Sequence, residues 1–197
     1  MTPVDVRPRV VIAEDEAIIR LDLKELLEEE GYEVVGETGR GDQAIDLVRE
    51  LVPDLVILDI KMPGLDGLSA ARQIAGERIA AVLVLTAFSQ RELVEQARDA
   101  GALAYLVKPF QKHDLMPAIE VALARHHELT SLERTVLDLE ERLESRKLID
   151  RAKGRLMSEQ GLDEQAAWRF LQTRAMSSRV KVAEIARQVV EGELAPN

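Results

Sequence analysis

At 197 residues, 46% of them apolar and 31% charged, the chain is too long and too hydrophobic for a disordered segment; it can hold one large domain or a medium one with a small one, and 3% aromatic residues predict an aliphatic core. It has no cysteine, which excludes disulfides and thiolate metal sites, and neither the opening MTPVDVRPR nor any later segment approaches roughly 18 consecutive apolar residues, so a cytoplasmic chain with no membrane contact is expected. The net charge of −10 disfavours a nucleic-acid partner, but it is unevenly spread: residues 1–126 carry a net of −9, whereas residues 145–187 carry 10 Lys+Arg against 5 Asp+Glu.

After an N-terminal tail, 1–8, short β-rich runs alternate with helix-length amphipathic segments over 9–126. The runs are RVVIAE (9–14), YEVVGE (32–37), DLVILD (54–59), AVLVLT (81–86) and AYLVK (104–108). Between them, EAIIRLDLKELLEEEG, GDQAIDLVRELV, GLSAARQIAGE and SQRELVEQARDAG place apolar residues at helical spacing, and HDLMPAIEVALARH follows the fifth run. Gly31 and Gly101 stand where helices end in a left-handed residue. Nearly all-apolar strands belong to a parallel sheet covered on both faces, and five βα repeats predict an α/β, (βα)5 doubly wound domain.

The alternation then stops. Leu129, Leu132, Val136, Leu139 and Leu143 recur at coiled-coil spacing, so 127–145 reads as a helical linker whose seam fails at Arg146 and Asp150. Two heptads are marginal alone; a second copy of this helix is the simplest partner, giving a homodimer through 129–143, and the alternative is a seam packed on the chain's own α/β domain. Two shorter helices follow, one capped by Asp163 and the other expected to be capped by Ser177 or Ser178. They complete a small all-α, three-helix domain with Trp168 and Phe170 expected in its core, before a tail at 192–197.

Ligands of a parallel sheet collect at the carboxyl ends of its strands, which here carry Glu14, Asp15, Asp59, Thr86 and Lys108. Taken singly, each has an ordinary reading: a turn aspartate, acids opening a helix, a strand-end threonine, a lysine before a proline stop. Together they fall on one edge. Three gathered carboxylates repel unless a cation sits among them, and an oxygen-only donor set suits Mg²⁺. A carboxylate so placed can attack a phosphoryl group, with Lys108 and Thr86 left to meet the phosphoryl oxygens.

The ordered motifs VIAEDE, VILDIKMPGLDG, VLTA and AYLVKPF resemble the receiver domain of bacterial two-component response regulators over 9–126. The resemblance implies that Asp59 is phosphorylated by a sensor histidine kinase. It further implies that Glu14, Asp15, Asp59 and the backbone carbonyl of Lys61 bind Mg²⁺, that Thr86 and Tyr105 form a switch pair, and that Lys108 is the family's lysine. The family often has Asp where Glu14 stands, so this longer acid is expected to reach the metal through water.

Downstream, SRKLIDRAKGRLM (145–157), then AW at 167–168 and VAEIA at 182–186, resemble the ANTAR domain, an RNA-binding antitermination module, over 130–191. That resemblance implies binding of hairpin-containing leader transcripts, with Arg146, Lys153, Gly154 and Arg155 carried over. Lys147, Arg151, Arg174, Arg179 and Lys181 join them by charge and position. TRAMSSRV stands where the family has a more polar loop. The leading expectation is a phosphorylation-switched RNA-binding antiterminator. The alternative is a protein-interaction regulator without nucleic-acid binding. Three helices without a wing argue against DNA binding. A carboxylate-nucleophile phosphatase needs a second Asp two residues on, where Lys61 stands, so the chain is not expected to be an enzyme.

Overall fold

The computed structural model describes residues 7–87 and 91–194, so most of the expected N-terminal tail, half of the C-terminal one and the start of SQRELVEQARDAG lie outside the described residues. The chain divides into two compact units, Met1–Ser131 and Leu132–Asn197.

The first unit has five strands, β1 (Arg9–Ala13), β2 (Glu33–Thr38), β3 (Leu55–Asp59), β4 (Ala81–Thr86) and β5 (Ala104–Val107). They form one sheet in the order β2-β1-β3-β4-β5, with every pairing parallel. Helices α1 (Ala17–Glu29), α2 (Gly41–Leu51), α3 (Gly67–Glu77) and α4 (Arg91–Asp99) connect them, and α5 (Lys112–Gln160) follows β5. Strand side chains alternate between faces. Val11, Ala13, Val56, Leu58, Val82 and Val84 pack under Ala44 and Val48 of α2, Ala70 and Ile74 of α3 and Ala97 of α4. Val10, Ile12, Ile57, Leu83 and Leu85 pack on the other side, under Leu23 and Leu27 of α1 and Leu115 and Ile119 of α5. Every residue of β3 and β4 is buried, which is why their sequences are almost unbroken apolar runs.

Helix ends follow local chemistry. Gly31 and Gly101 take φ of +87° and +85°, and Tyr32 and Ala102 donate back to the Leu27 and Ala97 carbonyls. Asp66 caps α3 by accepting from the Ser69 amide at 2.9 Å.

The second unit consists of the α5 segment from Leu132 onward, α6 (Glu164–Ser178) and α7 (Val182–Glu191). Its core is Ala152 and Leu156 on α5, Ala167, Leu171 and Ala175 on α6, and Ile185, Ala186 and Val189 on α7. Four of these eight are alanines, which lets the helix axes approach closely. Asp163 caps α6 through the Ala166 amide at 2.7 Å. Two expectations are corrected. Ser177 and Ser178 end α6 instead of capping α7; the residue before α7 is Lys181, which makes no side-chain cap. Trp168 is 37% exposed and lies outside the core, whereas Phe170 packs against it. The helical period explains this: Ala167 and Leu171 hold the inward line of α6, and Trp168 is rotated away by about 100°.

Candidate functional site

Parallel pairing aligns the strand ends, so residues far apart in sequence meet at one edge. Glu14 follows β1, Asp59 ends β3, Thr86 ends β4 and Lys108 follows β5. Ligand oxygens of Glu14, Asp15 and Asp59 all lie within 4.8 Å of one another. Glu14 is fully buried and Asp59 is 5% exposed, whereas Asp15 is exposed. The Lys108 ammonium lies 2.6 Å from Glu14 Oε2 and 2.8 Å from Asp59 Oδ1. The second Asp59 oxygen accepts from the Lys61 amide at 3.0 Å. Asp59, Lys61, Thr86 and Lys108 line one cleft, bounded by Glu92, Leu93 and Gln96 of α4.

Burial pushes the Glu14 carboxyl up, the Asp59 charge adds to this, and Lys108 works against both. Burial also works to lower Lys108, but its hydrogen bonds to Asp59 and Glu14 outweigh that and hold it above the ordinary lysine value. A partly buried cluster of three acids and one lysine therefore carries excess negative charge, the condition under which a divalent cation is bound. The Lys108-Pro109 bond is cis.

The strand edge brings together the acids, Thr86 and Lys108, but not Tyr105, which lies on β5 and is 48% exposed. Sequence reasoning missed several supports. Arg20 donates to the Glu14 carbonyl, and the Glu16 amide to the Glu14 carboxylate at 3.3 Å. Gly67 packs so tightly that a Cβ there would sit 1.8 Å from the Asp59 carbonyl oxygen. Asp66, followed three residues on by Ser69, could have marked the start of α3 and so the place of Gly67; nothing in the sequence signalled α4 as the cleft wall.

On α5, Arg146 and Lys153 fall on one line and Lys147 and Arg151 on another, with Gly154 between them. Gly154 is exposed and a Cβ there would meet nothing within 4 Å, so no packing within the described residues requires a glycine. Lys153 lies 2.9 Å from Glu164 and 3.1 Å from Asp150, which hold its ammonium above the ordinary value. Lys147 pairs with Glu144 at 2.7 Å, and Lys181 with Glu141 at 2.8 Å. Arg155 pairs with Glu159 and donates to the Val190 carbonyl, closing the last turn of α7. Arg174 lies over the Phe170 ring, 5.6 Å from its centroid, and Arg179 is the left-handed residue ending α6.

A five-stranded parallel sheet with three acids and a lysine at its carboxyl edge defines a receiver, and the chain belongs to that family: residues 10–120 match the response regulator receiver domain. Residues 137–190 match the ANTAR domain. The transcriptional regulatory protein PdtaR of Mycobacterium tuberculosis is 57% identical over 183 residues, spanning 93% of this chain and 89% of that one. The chemotaxis protein CheY of Bacillus subtilis is 38% identical over 116 residues, 58% of this chain and 97% of its own. Among solved structures, the receiver domain of a modulated diguanylate cyclase from Desulfovibrio desulfuricans superposes with a TM-score of 0.57 at 29% identity, covering 61% of this chain and 97% of that one. Among the described residues no helix is long and apolar enough to cross a membrane.

Proposed function

We propose that Asp59 accepts a phosphoryl group from a sensor histidine kinase, and that this modification controls RNA binding by the second unit, which acts as an antiterminator on hairpin-containing leader transcripts. The observation that carries the reading is the convergence of Glu14, Asp15, Asp59 and Lys108 in a chain whose remaining helices match an RNA-binding module. In the transfer, a bond forms between a carboxylate oxygen of Asp59 and phosphorus as the bond from phosphorus to the donor breaks. Lys108 holds the attacking carboxylate in place and offers a cation to the phosphoryl oxygens. The all-oxygen donor set fits Mg²⁺: Glu14, Asp15, Asp59 and the Lys61 carbonyl would hold it. Bound there, the ion offsets the negative charge of the phosphoryl oxygens and the acids. Thr86 and Tyr105 serve as the switch pair.

RNA binding is assigned to the α5 face around Gly154, with Arg146, Lys147, Arg151 and Lys153 on phosphates and Arg174, Arg179 and Lys181 as further cations. Arg155 is assigned to structure by its hydrogen bond to Val190. Self-association through 129–143 belongs to the same reading, because the seam residues are 42% to 57% exposed. The test is binding of the full chain to a leader RNA with paired hairpins, with and without acetyl phosphate and Mg²⁺. Phosphodonor-dependent affinity supports the reading. If the parent binds no hairpin RNA, or if Lys153→Ala and Gly154→Leu bind as tightly as the parent, the protein-interaction alternative replaces it.

A further inference from the structure

We infer that Trp168 is a stacking platform for a single unpaired nucleobase of an RNA loop, with Lys153 beside it meeting the adjoining phosphate. The inference rests on the RNA-binding reading of the second unit and names the chemistry recognised there.

Trp168 is the only tryptophan of the chain, and it is left 37% exposed on a helix whose neighbouring Ala167 and Leu171 are completely buried. A three-helix unit short of large apolar residues would be expected to bury this one. Instead Trp168 lines an open concavity with Ile149, Lys153, Asp163, Glu164 and Gln165. Its indole has no hydrogen-bond, cation or ring partner among the described residues.

The composition of that concavity selects its occupant. Ile149 and the indole are its apolar surfaces; the remaining four residues carry charge or an amide. Asp163 already accepts from the Ala166 amide and Glu164 from the Lys153 ammonium, so what the concavity offers an occupant is an apolar face flanked by a cation. A nucleotide has an apolar base face for the indole, a polar edge for the Gln165 amide, and a phosphate for the ammonium. In the free protein Glu164 and Asp150 hold the Lys153 ammonium in place, and an arriving phosphate takes their role.

Because Trp168 is the only tryptophan, its emission reports on this position alone. The full chain is titrated with a hairpin RNA while binding is followed separately by anisotropy of the labelled RNA. Quenching on binding is expected. A single abasic substitution at one loop position should abolish the quenching, and a blunt duplex of the same stem should not quench. Trp168→Ala should weaken binding roughly tenfold, whereas Trp168→Phe, which keeps a ring, should retain most of the affinity. If the RNA binds with unchanged emission, or quenching persists with the blunt duplex or with every loop position abasic in turn, stacking is overturned while the RNA-binding reading stands. If no hairpin RNA binds, both fall. The emission of the parent decides the matter even if Trp168→Ala fails to fold.

Discussion

Asp59 shows how much depends on single atoms. Both of its carboxylate oxygens are engaged, one by Lys108 at 2.8 Å and the other by the Lys61 amide at 3.0 Å. Asp59→Asn preserves the shape but removes the nucleophilic oxygen, so the variant is expected to fold and to gain no phosphoryl group from acetyl phosphate, as read by mass spectrometry; a labelled Asn variant would place the acceptor elsewhere. Chelating Mg²⁺ should suppress labelling of the parent in the same way. Gly67 holds the strand end from behind. Gly67→Ala drives a methyl into the Asp59 carbonyl, and overpacking of this kind costs about 1–3 kcal/mol. Chemical denaturation should show that loss together with slower labelling; unchanged stability would mean that the α3 start moves freely.

Helices α5, α6 and α7 carry a distinction invisible in a count of charges. Lys153 and Arg155 stand two residues apart, yet the first lines an open concavity and the second closes α7 at Val190. Arg155→Ala removes a charged hydrogen bond and is expected to cost about 1–2 kcal/mol in thermal denaturation. Lys153→Ala should change stability little, because its ion pairs are with exposed acids. It should instead weaken RNA binding at low salt. The reverse pattern would exchange their roles. The seam on α5 permits a separate test. Leu132, Val136, Leu139 and Leu143 leave half or more of their surface exposed, and a self-complementary helix face is the simplest cover. Sedimentation of the phosphorylated chain should show a dimer that Leu139→Asp converts to monomer; a parent that stays monomeric at high concentration would remove the seam from the reading.

Across the whole molecule, the net charge of −10 conceals a basic window at 145–187. RNA affinity should therefore fall steeply with salt in spite of the acidic average, since each neutralised phosphate contributes a slope of roughly −0.7 on single-stranded RNA. Removing Lys153 should reduce that slope by about one unit or less, whereas Arg155→Ala should leave it unchanged; equal slopes for parent and Lys153→Ala would take Lys153 off the phosphates.

The fold was legible in the sequence because hydrophobic periodicity is local. Runs such as AVLVLT and DLVILD, and the intervening 3.6-residue spacing, specify buried parallel strands and covering helices without knowledge of any distant contact. Glu14, Asp15, Asp59, Thr86 and Lys108 were legible for a related reason: each ends or follows a strand, and parallel pairing brings strand ends together. Only the tertiary structure decided what depends on side chains meeting across elements. Periodicity marks Trp168 as large and apolar, but whether it faces the core depends on where α5 lies against α6, and Ala167 and Leu171 take that face. Charge marks Arg155 as basic, but its bond to Val190 joins residues 35 apart. Gly67 stands eight positions after Asp59, and its contact with that carbonyl exists only once α3 has folded back over the end of β3.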